Sequence, residues 1–146
     1  MIDGTDFRPQ LRASVPPGWL VKESLEIVAE DLAANVIASS ESIPQGMNSA
    51  SYAADQGKRL QAEFPGYQEL SFGETDLFGG RRGFMRRFRW TPPGSGEVTQ
   101  IQLYCVDDER GYTATGTTPT ATLGSTEDIL LGVLLGVLID GSAPGP

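Results

Sequence analysis

Period-2 alternation opens the folded part of the chain: Val21, Leu25, Ile27 and Ala29 point one way while Lys22, Ser24 and Glu26 point the other, the mark of a half-buried strand. Glu30 and Asp31 turn the chain into a second strand over Ala33 to Ser40, and the two make a hairpin. Both faces of the second strand carry small residues, so its register is weakly specified. Pro44 and Gly46 end it. From a cap at Asn48 or Ser49, the residues Tyr52, Ala53, Gln56, Leu60 and Phe64 recur at helical spacing, with Asp55, Lys58, Arg59 and Glu63 largely on the other side. Pro65 and Gly66 stop this amphipathic helix.

Three or four strands are predicted next, over Gln68–Leu77, Gly83–Thr91, Val98–Asp107 and Tyr112–Thr118. The breaks at Gly79 and Gly80, Pro92 to Gly96 and Asp108 to Gly111 have turn chemistry, so the strands read as an antiparallel meander. In the third of them Thr99, Ile101, Leu103 and Cys105 share one face, and Val98, Gln100, Gln102 and Tyr104 the other. Both faces are therefore expected to be at least partly covered. Near the end, Ser125 and Asp128 resemble a capping box, and Glu127 and Asp128 suit the positive end of a helix dipole. Ile129 to Ile139 then runs almost wholly apolar; at eleven residues it is about half the length that crosses a bilayer. A buried helix is expected there, and no membrane span.

These elements give an α+β fold: an antiparallel sheet of about six strands, a helix after the first hairpin, and a C-terminal helix packed against the sheet. The domain organisation expected is a flexible arm over 1–14, one domain over 15–140 and a flexible tail over 141–146. A length of 146 residues suits one domain. The 39 % hydrophobic and 21 % charged fractions are those of a globular chain, and 18 glycines with 10 prolines make it turn-rich.

Charge changes the picture of partners. A net charge of -8 repels phosphate backbones and anionic membranes, so nucleic acid is not an expected partner. Five of the 11 basic residues, however, sit together as Arg81, Arg82, Arg86, Arg87 and Arg89; the rest of the chain carries 6 basic against 19 acidic residues. The segment from Arg81 to Trp90 interleaves cations with aromatics, a composition used to stack bases and track phosphates. Alternation puts Phe84, Phe88 and Trp90 on a face with Arg86, and Met85, Arg87 and Arg89 on the other. The aromatics are expected to enter the core and the cations to stay outside. Arg81, Arg82, Arg87 and Arg89 then form a candidate patch for an acidic protein partner.

Catalytic groups are sparse. The chain has no histidine, which removes the usual proton shuttle, the histidine-dependent triads and histidine metal sites. It has no P-loop, dinucleotide fingerprint or nucleophile elbow. A pair of carboxylates distant in sequence stays open as a catalytic device, whereas Asp107, Asp108 and Glu109, followed by Arg110 and Gly111, fit a hairpin turn better than a calcium loop. The lone Cys105 cannot form an internal disulfide and is expected to be a small core residue rather than a reactive thiol. No apolar export signal opens the chain. The expectation is a cytoplasmic protein that is not an enzyme and uses no cofactor and no metal.

The remaining features concern binding. Gly132 and Gly136 give a small-xxx-small spacing inside the last helix. The helix's apolar surplus, including Leu131 and Leu135, is a candidate surface for a client helix or for self-association as a homodimer. Trp19, beside Pro17 and Gly18, is expected to anchor the arm by packing. An alternative is a small-ligand or lipid pocket between sheet and helix, lined by residues such as Phe84, Phe88, Leu103 and Leu134.

Taken in order, Pro17 to Trp19, the paired strands through Asn35, Val36 and Ile37 leading to Ile43 and Pro44, and the helix through Tyr52 and Leu60 carry a resemblance. It continues through Gly80 and Gly83, the strand at Gln100 to Leu103, the strand at Tyr112 to Thr118 and the closing helix. The pattern resembles the PsbP-like fold, which includes the photosystem oxygen-evolving subunit, the yeast Ran-binding release factor and bacterial DcrB-related proteins. It covers roughly Leu11 to Ile139 by element order. The resemblance implies an antiparallel sheet with helices against it and members that mostly bind other proteins. Within the DcrB-related group, the chain is similar in size and element order to Eag-type chaperones, which hold apolar helices of secretion effectors. That implies an adaptor or chaperone for a protein client. The apolar Ile129 to Ile139 departs from the family's usual close, so no individual functional residue is carried over.

Overall fold

The computed structural model describes residues 7, 12–19 and 21–139. Most of the arm expected over 1–14 and all of the tail expected over 141–146 lie outside the described residues. The elements run β1 (Glu23–Ala29), a 3-10 turn (Glu30–Leu32), β2 (Ala34–Ser42), α1 (Ser49–Glu63), β3 (Gln68–Leu77), β4 (Arg81–Trp90), β5 (Val98–Asp107), β6 (Arg110–Pro119), a second 3-10 turn (Thr120–Thr122) and α2 (Leu123–Leu135). One six-stranded sheet has the order β1-β2-β6-β5-β4-β3, and all five strand pairs are antiparallel. This is the α+β architecture the periodicities predict.

Local chemistry accounts for most of the boundaries. Asn48 caps α1: its side chain accepts from the Ser51 backbone at 2.8 Å, and the Ser51 hydroxyl accepts from the Asn48 backbone at 3.0 Å, satisfying two donors that the first helical turn leaves orphaned. Asp108 and Glu109 both take positive φ between β5 and β6, the conformation of a two-residue hairpin whose twist matches its strands.

The C-terminal helix departs from expectation. It begins at Leu123, and Ser125 is inside it, its hydroxyl donating back to the Thr122 carbonyl at 3.1 Å. The predicted capping box at Ser125 and Asp128 is absent, because the Thr120–Thr122 turn already carries the chain into helical geometry. The helix closes at Gly136, so the apolar run to Ile139 is only partly helical.

Two helices cover opposite faces of the sheet. Val36, Ile101, Leu103, Cys105 and Ala114 face α2, where Leu130 and Leu134 complete the larger core with Leu77 and Phe78. On the other face Tyr104 packs with Tyr52 and Ala53 of α1. Both faces of β5 are thus covered, and the five consecutive residues Ile101 to Cys105 are all buried. The close approach of α2 uses a glycine of the sheet: a Cβ at Gly116 would sit 2.8 Å from Leu134 Cδ1 and 3.0 Å from Leu130 Cγ.

Candidate functional site

The arginine strand lies inside the sheet, between β3 and β5, and its cations meet carboxylates on the surrounding elements. Arg81 Nε donates to Asp107 at 2.7 Å and Arg81 Nη1 to the Phe78 carbonyl at 3.0 Å. Arg82, exposed, approaches Glu74 at 3.2 Å and Asp76 at 3.3 Å. Arg87 reaches Glu127 on α2 at 2.5 Å, and Arg89 lies 4.0 Å from Glu97. Of the candidate patch, Arg82 alone is exposed, although it shares the α1 face of the strand with Phe84 and Arg86. Arg87 and Arg89 lie half-buried on the α2 face, with Met85 between them and Arg81.

Arg86 overturns the expectation that the cations stay outside. It is 5 % exposed, under α1. Its Nε donates to Glu69 at 2.8 Å, and its Nη1 donates to the Ala53 carbonyl at 3.1 Å and to the Tyr104 hydroxyl at 3.0 Å. Its guanidinium carbon lies 4.3 Å from the Phe72 ring centre and 5.2 Å from that of Tyr104. The planar fork suits this slot, with rings at its faces and acceptors at its edges. Gly57 makes the room, since a Cβ there would stand 2.6 Å from Arg86 Nη2. Burial pushes the Tyr104 hydroxyl up to about 12, against the pull of Arg86. Tyr104 in turn donates to Gln102. The cluster ties α1 to the sheet by polar contacts.

The ligand pocket expected from Phe84, Phe88, Leu103 and Leu134 does not form. Antiparallel register sets Phe84 and Phe88 on the α1 face and Leu103 on the α2 face with Leu134, so the sheet itself separates them. Trp19 is not the expected packing anchor either; it is 72 % exposed, just after a turn closed by its backbone N–H on Pro16.

An open apolar feature exists elsewhere. A groove enclosing about 70 Å³ runs between the β1–β2 hairpin and α2, lined by Ile27, Val28, Leu32, Val36, Ile129 and Val133 among others. Thr126 also lines it; the Thr126 hydroxyl is buried and has no hydrogen-bond partner among the described residues. The rim is solvent-facing, with Val28 at 57 % and Ile129 at 50 % exposure. Of the two leucines marked in the sequence, Leu131 is half-buried against the α2-side core and Leu135 is exposed on the helix surface. Sequence reasoning missed the groove. Its trace was apolar Ile27 and Ala29 on one face of β1, the face that looks toward α2.

A second, polar cleft is lined by Glu41, Ile43, Met47, Tyr52, Asp55 and Arg59. There the Tyr52 hydroxyl lies 3.2 Å from Glu41 and 3.1 Å from Thr113, and burial pushes it up to about 12. Burial also raises the Cys105 thiol. Among the described residues no group of three or more cysteine and carboxylate side chains is placed to hold a metal ion, and no helix is long and apolar enough to cross a membrane.

No family model matches the chain, and no curated protein matches it. Among solved structures it is similar to PA94 from Pseudomonas aeruginosa, a protein of unknown function, with a TM-score of 0.70 at 14 % identity over 88 % of this chain and 90 % of that one. It also matches LpqN of Mycobacterium tuberculosis, involved in cell envelope biogenesis, with a TM-score of 0.46 at 12 % identity over 82 % of this chain and 83 % of that one. The likeness to PA94 shows a shared fold.

Proposed function

We propose that this protein is a non-catalytic protein-binding adaptor or chaperone that shelters an apolar segment of a protein client in the groove between the β1–β2 hairpin and α2. The observation that carries the reading is the groove itself. Ile37, Leu70 and Phe72 of the sheet are also exposed, but here Ile27, Val28 and Ile129 meet solvent beside a cleft walled by aliphatic side chains. Contiguous exposed apolar surface of this kind marks interaction sites. The Thr126 hydroxyl gives the occupant one hydrogen-bonding position in an otherwise apolar wall. The resemblance of the element order to DcrB-related, Eag-type chaperones supports the same reading and suggests a secretion-linked client met in the cytoplasm. A lipid-binding module fits less well, because about 70 Å³ is small for an acyl chain.

The test is capture from the source organism with the full chain as bait, compared with an Ile129→Glu variant. Ile129 is half exposed, so the fold should tolerate the change. A defined protein recovered in near-equal amount by the wild type and lost with Ile129→Glu is the expected result. Equal recovery by both baits would remove the groove as the site, and no defined protein would remove the adaptor reading.

A further inference from the structure

The two edges of the sheet are built differently. The β3 edge carries Glu69, Glu74 and Asp76 and a register shift between Glu69 and Ser71, devices that discourage a further strand. The β1 edge has a regular register with β2 from Glu23 to Ala29, and exposed Val21, Ile27 and Val28 flank it. Such an edge is a template for another strand, and its sequence says which one.

We propose that a second copy of this chain pairs antiparallel along β1 with Ser24 on the two-fold axis, and that this completes the groove. In a two-fold antiparallel pair, facing residues share a face of the sheet, which leaves few registers. Centring on Glu23 or Glu26 sets two carboxylates face to face, and centring on Ile27 makes no opposite-charge pair within β1. Centring on Leu25 makes no charge pair and faces Lys22 with the partner's Val28. Centring on Ser24 faces Lys22 with the partner's Glu26, twice by symmetry, and Val21 with the partner's Ile27. Opposite charges directly across strands stabilise a pair and like charges destabilise it.

The register chosen by charge has a second consequence that it was not chosen for. Val21, opposite the partner's Ile27, falls on the same side of the sheet as that residue. That is the groove face: Ile27, Ala29 and Ile129 line the groove. Val21, 42 % exposed in the single chain, would wall the open side of the neighbouring groove. Each groove is then shared between two copies. The pairing stands on the edge and its charges; the shared wall deepens the client-binding reading above.

The experiment is light scattering on full-length protein at tens of micromolar, with two variants whose substituted residues are both exposed. Wild type should run at twice 15.6 kDa. Lys22→Glu and Glu26→Lys should each weaken dimerisation on the order of tenfold or more. An equimolar mixture of the two should recover the dimer mass, since the mixed pair restores both opposite-charge contacts. A monomeric wild type, variants that stay dimeric, or a mixture that fails to recover would each overturn the pairing. A monomer that still captures a client through Ile129 would sink the pairing alone, and a dimer that captures none would sink the client reading alone.

Discussion

Arg86 and Glu69 form an ion pair whose partners differ in burial, and that difference sets an unequal response to mutation. Arg86 is 5 % exposed, whereas the Glu69 side chain is 39 % exposed. Removing the carboxylate with Glu69→Ala leaves a guanidinium beneath α1 with a carbonyl and a phenol as its remaining acceptors. Breaking a buried pair from this side costs about 3 kcal/mol, the low end of the usual range because the vacated side opens to water. Arg86→Met keeps an apolar stem between the rings and frees Glu69 toward solvent. Its cost is the Arg86 hydrogen bond lost at two buried acceptors, the Ala53 carbonyl, which keeps its helical partner, and the Tyr104 oxygen, at about 1 kcal/mol each. With both partners gone the stranded charge no longer exists, so the double variant should cost about 2 kcal/mol, close to Arg86→Met alone. Urea unfolding followed by circular dichroism, with unchanged slopes, gives all three values. Costs that simply add in the double variant would show that the pair does not act as a unit, and the account of the slot would be wrong.

Three further outcomes follow from the packing. Gly116→Val puts methyl groups into the space held by Leu130 and Leu134. It should destabilise by about 1–3 kcal/mol, and a neutral melting temperature would show that α2 does not approach the sheet as described. Asn48→Ala removes a side-chain acceptor at the start of α1 and should cost about 1 kcal/mol in the same unfolding assay, while Asn48→Asp should cost much less. The buried Tyr104 hydroxyl is pushed up to about 12. Its folded pKa is above its unfolded one, so the stability it supports is intact below pH 10 and is lost as pH climbs from about 10 to about 12, by roughly 3 kcal/mol in full. Tyr104→Phe should flatten that alkaline decline, and an undiminished slope would refute the assignment.

Much of the fold was legible in the chain because its causes are local. The ranges of β3 and β5 follow from alternation bounded by Gly, Pro and Asp turns, and α1 follows from apolar spacing with Asn48 as cap. The start of α2 was misplaced because Ser125 has a capping side chain but no capping role once a 3-10 turn precedes it. Trp19 was misjudged because size predicts burial only where something covers the residue.

The sequence by itself determined a sheet of about six strands, the placement of α1, the turn at Asp108 and Glu109 and the lack of imidazole chemistry, since each depends on neighbours a few residues apart. Tertiary structure alone decided which side of each strand a helix would cover. It therefore buried Arg86 beside Glu69, 17 residues away, and parted Phe84 from Leu103 by the thickness of the sheet. It also left Ile27, Val28 and Ile129 around an open groove. The reason is physical: alternation tells which residues share a face, but the free energy of that face depends on what distant segment lies over it.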